Sequence, residues 1–220
     1  EFFLLETAVA LRKRALQHDL QGIPFAIPTK VDERIRRRFP FRLTAAQERA
    51  IAEIAAELAR PRPMNRLLQG DVGSGKTVVA AYALLAAVAN RHQAALMAPT
   101  EILAAQHFRT LSALLKGSRV RTRLLLGGAS AAERRANLDA VRAGEVDIAV
   151  GTHALIQHDV EFARLGLVVV DEQHKFGVLQ RAALRWKGAT PHVLVMTATP
   201  IPRSLALTFF GDLDLSTLDE

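Results

Sequence analysis

The sequence predicts an α/β domain built on a mostly parallel sheet with helices on both faces, and three observations carry that prediction. Short apolar segments alternate with longer amphipathic ones along most of the chain, the order of βαβ units. Segments such as "AALMAP", "VDIAVG" and "LGLVVVD" show no polar alternation, the pattern of strands buried on both faces. A glycine-rich turn, "GDVGSGKT" at 70–77, stands between one such strand and a helix.

The elements follow in order. "FFLLETAVALRKRALQ" places Phe2, Leu5, Val9 and Leu16 at near-helical spacing with Arg12, Lys13 and Arg14 opposite, which predicts an N-terminal amphipathic helix. "GIPFAIPTK", with Gly22, Pro24 and Pro28, cannot prolong it. Residues 1–30 therefore read as a linker helix and extended segment left from a preceding domain, and 31–220 as the principal domain, entered through the basic run "ERIRRRFPF". Thr44 is suited to cap "AAQERAIAEIAAELAR", which "PRP" stops, and the strand "NRLLQG" leads into the glycine turn. Helices are expected over "TVVAAYALLAAVANR", "TEILAAQHFRTLSALL" and "SAAERRANLDAVRAG", and strands over "AALMAP", "RTRLLLG", "VDIAVG", "LGLVVVD" and "HVLVMTA". The closing "DLSTLDE" reads as a turn-like acidic end; with Glu1 in place of an initiator Met, it suggests an excised fragment.

Composition narrows the function classes. Half of the 220 residues are hydrophobic, yet no apolar run approaches the roughly 20 residues that cross a bilayer, so a soluble, cytoplasmic protein is expected, with no membrane partner. The absence of Cys excludes disulfides and thiolate metal sites. A formal charge of +7 favours polyanions as partners, and arginines cluster at 34–38, 119–123 and 134–135, although solvated helix faces also account for such runs.

"GDVGSGKT" fits the phosphate-loop pattern G-x-x-x-x-G-K-[ST]. Backbone N–H groups of Gly70, Asp71, Val72, Gly73, Ser74 and Gly75 would curl around a phosphate, Lys76 would bring its ammonium, and Thr77 would offer a hydroxyl to Mg²⁺. The buried strand "LGLVVV" delivers Asp171 and Glu172 to the carboxyl end of the sheet, where ligands of open α/β folds bind. Asp171 is suited to hold Mg²⁺ through water, Glu172 to polarise an attacking water, and His174 to report nucleotide state. Gln47 carries an amide able to donate to and accept from an adenine edge, beside Phe39 and Phe41, either of which can stack on a base. Pro99 and Thr100, Gly151, Thr152 and His153, and Thr197, Ala198 and Thr199 each follow a strand and are candidates for sugar-phosphate contact or coupling; each set also reads as an ordinary loop.

With those residues in place, the chain resembles the superfamily 2 helicases and, within them, the RecG family of ATP-dependent translocases that remodel branched DNA. The likeness rests on "LTAAQ", "GDVGSGKTVVA", "APTEILAAQH", "VGTHALIQ", "DEQHKFGVLQR" and "MTATPIPRSLALT", which look like that family's Q motif and motifs I, Ia, Ib, II and III in order, from about Phe39 onward. The transcription-repair coupling translocases are similar in "GDVGSGKT" and "TATPIPR", whereas "DEQH" followed by "KFGVLQR" looks more like RecG than like their "DEEQ". One departure is "LLLGGAS", where Gly127 replaces a typical Thr.

The resemblance implies a three-layer RecA-like domain, ATP and Mg²⁺ as cofactors, and branched or forked DNA as partner through the full-length protein, acting as a monomer. It also implies a second RecA-like domain, supplying an arginine finger, and a fork-reading wedge domain outside these residues. Two other readings stand beside it: a nucleotide-binding module without turnover when isolated, and a phosphate-loop kinase of small molecules.

Overall fold

A computed structural model describes residues 21–156, 159–171, 190–198 and 213–219. The elements are α1 (Thr29–Arg36), α2 (Ala45–Leu58), β1 (Asn65–Gly70), α3 (Lys76–Ala89), β2 (Gln93–Met97), α4 (Glu101–Leu114), β3 (Thr122–Leu125), α5 (Ala131–Arg142), β4 (Ile148–Gly151), a 3₁₀ turn (His153–Ile156), β5 (Leu165–Asp171), β6 (His192–Thr197) and β7 (Asp214–Leu218). The strands form one sheet in the order β3-β4-β2-β5-β6-β1-β7, and every pairing is parallel.

Two apolar layers sandwich the sheet. Ala94, Leu96, Ile148, Val150, Val169, Leu194 and Met196 turn to one face and pack with α1, α2, α3 and α4. Their chain neighbours Ala95, Met97, Ala149, Val168, Val170 and Val195 turn to the other, against α5 and Leu155 of the 3₁₀ turn. The period of two along each strand divides the apolar runs of the central strands between the two layers.

α3 is buried on nearly every side, from Val79 to Ala87. Its alanines let α2 and the sheet approach closely, while Tyr82 Oη donates to Asp32 Oδ1 over 2.5 Å and ties it to α1. α2 begins where the sequence places it: Thr44 Oγ1 accepts from the Gln47 N–H, and Gln47 returns its side-chain oxygen to the Thr44 N–H, a complete capping box.

Three findings differ from the sequence reading or extend it. "DLSTL" is not a turn but β7, an edge strand parallel to β1. Its inward residues include Ser216, whose burial is met by hydrogen bonds to Arg66 and Glu53, so the strand lacks the apolar run that marks the others. Residues 29–36, at the expected boundary, form α1, because Pro28 stands just ahead of the first turn and the side chains of Asp32 and Arg36 pair along it. Phe25, within the segment assigned to the linker, is only 1% exposed and packs edge-on to His192. The segment for which the sequence predicts an N-terminal amphipathic helix lies outside the described residues.

The arginine clusters are partly spent within the chain. Arg36 pairs with Asp32 and Glu48, Arg37 with Glu33, Arg121 with Asp147, and Arg134 with Asp159. Among the described residues, no helix is long and apolar enough to cross a membrane.

Candidate functional site

Because every strand runs the same way, all the loops that follow strands gather at one edge. β1, β6 and β5 are neighbours there, so the loop after Gly70 and the Asp171 carboxylate are separated by a single strand, roughly 10 Å. Thr197, buried at the end of β6, lies between them. The other half of the edge, β2, β4 and β3, carries Pro99 and Thr100, then Gly151 and Thr152, and the loop at Gly127.

The glycine loop has the shape its sequence predicts. Gly73 and Gly75 adopt φ of 89° and 85°, the left-handed region that side chains avoid, and α3 starts directly on Gly75. Lys76 folds its ammonium back to donate to the carbonyls of Gly70 (2.6 Å) and Asp71 (2.7 Å). That grip holds a positive charge beside the first-turn N–H groups of α3, where the helix dipole also favours an anion. Asp71, Val72 and Gly73 form the exposed crest, with Val72 90% exposed. Among the described residues, Ser74 Oγ is buried without a hydrogen-bond partner, a polar atom facing the loop interior. Thr77 sits half-buried in the first turn.

Gln47 is tied into this loop. Its side-chain Nε2 donates to the Ser74 carbonyl over 2.9 Å while its Oε1 accepts from Thr44. An amide has two N–H bonds and two acceptor lone pairs, so one of each remains for a base edge. The structure also separates the two candidate aromatics: Phe39 is 7% exposed in the core, and Phe41, 49% exposed, lies nearly parallel to it with ring centroids 6.3 Å apart. Phe41 is thus the ring with a face to offer.

Asp171 closes β5 half-buried, and its Oδ2 lies 2.6 Å from His107 Nε2 on α4. With the carboxylate ionised, Nε2 must carry the proton and donate. Glu172, His174 and Thr199 lie outside the described residues. Ala198 follows β6 half-buried.

In the other half-edge, Thr100 is exposed and caps α4, its hydroxyl accepting from the Leu103 N–H over 3.3 Å. Gly151 is packed so closely under the Leu125 carbonyl that a Cβ would approach within 2.4 Å. Thr152 and His153 lead into the 3₁₀ turn, half-buried. The loop with the substituted Gly127 is held by Glu101, whose Oε1 accepts from the N–H groups of Gly127 (3.0 Å) and Gly128 (3.3 Å).

Sequence reasoning missed Glu101, His107 and the buried cluster of Arg66 with Glu57. For His107 a signal existed: Ala104, His107 and Leu111 share one buried stripe of α4, and a polar residue at apolar spacing requires a partner.

The residues fit a nucleotide phosphate and Mg²⁺. The loop offers backbone N–H groups, an ammonium and an unsatisfied buried hydroxyl to the anion. Mg²⁺ characteristically takes few protein ligands together with water and phosphate oxygens, and Asp171 with Thr77 supplies such a sparse set. Among the described residues, no group of three or more His, Asp or Glu gathers into a self-contained metal cage.

A parallel sheet with a phosphate loop and a carboxylate at its carboxyl edge defines a phosphate-loop nucleotide-binding domain. The family model described as DEAD/DEAH box helicase matches residues 44–208, and the chain belongs to that family. It is 51% identical over its whole length to an ATP-dependent DNA helicase RecG of Synechocystis sp., of which it spans 26%, and 50% identical to that of Bacillus subtilis, of which it spans 32%. Among solved structures it is similar to RecG bound to a three-way DNA junction, with a TM-score of 0.84 and 45% identity over 99% of this chain and 29% of that one. The UvsW helicase of bacteriophage T4, at 15% identity over 88% of this chain and 69% of that one, shares the fold with a TM-score of 0.64. The chain thus spans between a quarter and a third of the length of these RecG relatives.

Proposed function

We propose that this chain is the ATP-binding motor domain of a RecG-like DNA helicase that remodels branched or forked DNA. The observation that carries the reading is the pairing on one sheet edge of the Lys76 loop with Asp171, one strand apart. In this reading Lys76 and the loop N–H groups bind the β- and γ-phosphates, and Thr77 with Asp171 holds Mg²⁺ through its hydroxyl and through water. Glu172 takes the proton of the attacking water, and His174 relays nucleotide state. Gln47 and Phe41 read the base. Magnesium, when bound, neutralises charge on the phosphoryl oxygens.

Identity near 50% over the whole of this chain to RecG relatives supports the RecG reading over a transcription-repair coupling translocase. Pro99, Thr100, Gly151, Thr152, His153, Thr197, Ala198 and Thr199 are the candidates for DNA contact or coupling. The protein works in the cytoplasm as a monomer, with residues 1–30 as linker and 31–220 as motor domain. A second RecA-like domain in cis completes the catalytic site, so the chain by itself binds nucleotide with little turnover.

The test is the steady-state ATPase rate of the chain with Mg²⁺, with and without forked DNA, beside nucleotide binding. Binding with negligible turnover supports a half-site; strong DNA-stimulated turnover means a complete site and overturns that part. Absence of nucleotide binding by folded protein overturns the whole.

A further inference from the structure

His107 is separated from Asp171 by 64 residues in sequence and meets it at 2.6 Å, with both side chains shielded from solvent. It projects from the buried stripe of α4, so packing on both sides restricts the imidazole. Oδ2 of Asp171 takes the Nε2 hydrogen, and among the described residues Oδ1 has no protein donor. A carboxylate at a strand end has broad freedom about its terminal torsion. One directional hydrogen bond from a packed ring removes that freedom.

We propose that His107 is a positioning residue of the metal side of the site: by holding Asp171 Oδ2 it presents Oδ1 toward the water shell of the magnesium ion. The inference rests on the nucleotide reading above and deepens it. His107 touches neither nucleotide nor metal and acts through Asp171 alone. Removal of such a partner characteristically weakens metal binding by about 10- to 100-fold, and the lower end applies because Asp171 reaches the ion through water.

The experiment is a titration of MgCl₂ into the chain with N-methylanthraniloyl-ADP at fixed concentration, read by fluorescence, for the parent, His107→Ala and His107→Gln. Gln places an amide N–H near the position of Nε2. The expected result is that His107→Ala needs about tenfold more Mg²⁺ for half-maximal enhancement. His107→Gln recovers most of the loss, and Mg²⁺-free nucleotide binding is the same in all three. Unchanged Mg²⁺ dependence in folded His107→Ala overturns the proposal, as does a Gln variant as impaired as the Ala variant, which would mark a packing role. Should His107→Ala not fold, His107→Phe keeps the ring and removes the donor, under the same criteria. If the parent chain shows no Mg²⁺-dependent nucleotide binding, the nucleotide reading fails and this inference with it.

Discussion

Gln47 Nε2 and the Ser74 carbonyl are joined by a 2.9 Å hydrogen bond that spans the gap between the first turn of α2 and the phosphate loop. The bond leaves no room above Gly75: a Cβ there would stand 2.2 Å from Gln47 Nε2. Gly73, two residues earlier and equally left-handed, has open space around it.

The two glycines should therefore respond differently to alanine. Gly73→Ala is expected to cost about 1–2 kcal/mol, the strain of a left-handed residue with a side chain. Gly75→Ala adds a collision with Gln47, so it should cost more and weaken nucleotide binding as well. Chemical denaturation of both variants checks this; equal losses would show that Gln47 yields freely.

Lys76→Ala removes the ammonium held over the loop by the Gly70 and Asp71 carbonyls. Hydrogen bonds to charged groups contribute about 1.5–3 kcal/mol each. Nucleotide affinity should then fall by at least roughly a hundredfold, measured by fluorescence titration, while the thermal midpoint moves little. Parent-like affinity in this variant would contradict the site.

Arg66 is buried on β1, where its guanidinium donates twice to Glu57 (3.0 and 2.7 Å), once to Glu53 (2.8 Å) and once to Ser216 (2.6 Å). Removing it strands the Glu57 carboxylate in the interior, and breaking such a pair costs about 3–5 kcal/mol. Arg66→Ala should destabilise by that amount in urea unfolding. A loss below about 1 kcal/mol, the range of surface pairs, would show that water replaces the arginine.

His192 is fully buried, its Nδ1 accepting from the Met64 N–H (2.8 Å) and its Nε2 donating to the Ile23 carbonyl (2.6 Å). Burial lowers its pKa below the ordinary value of 6.5, the hydrogen bond to Ile23 opposing in part. The unfolded chain therefore binds a proton more readily than the native one. Stability from this group is complete above about pH 6.5 and is lost as pH falls through the folded pKa. Denaturation midpoints between pH 8 and pH 5 should decline below 6.5, and His192→Gln should flatten that decline; an equal slope in the variant assigns it elsewhere.

Much of the architecture was legible because its signals are local. Apolar runs without alternation announce parallel strands, and the phosphate loop carries its own glycines, lysine and flanking elements within eight residues. What escaped depended on partners distant in sequence. β7 looked like a polar end because Ser216 is satisfied by Arg66, 150 residues away. His107 looked like one more helical residue because Asp171 enters only when β5 and α4 are packed. The choice between Phe39 and Phe41 needed burial, which spacing alone does not supply.

The place of β1 in the sheet has a consequence for synthesis. The strand that carries the phosphate loop is made well before its two neighbours, β6 and β7, which follow it by more than a hundred residues. Asn65 must wait for Val193, and Gly70 for Leu218. At about 5–20 residues per second on the ribosome, that delay is roughly 6–30 s, during which the hydrogen-bonding edges of β1 wait for their partners. Pairings so remote are slow to form and leave strands prone to misassociation. The strand that carries the phosphate loop is thus framed on both sides only when β6 and β7 arrive.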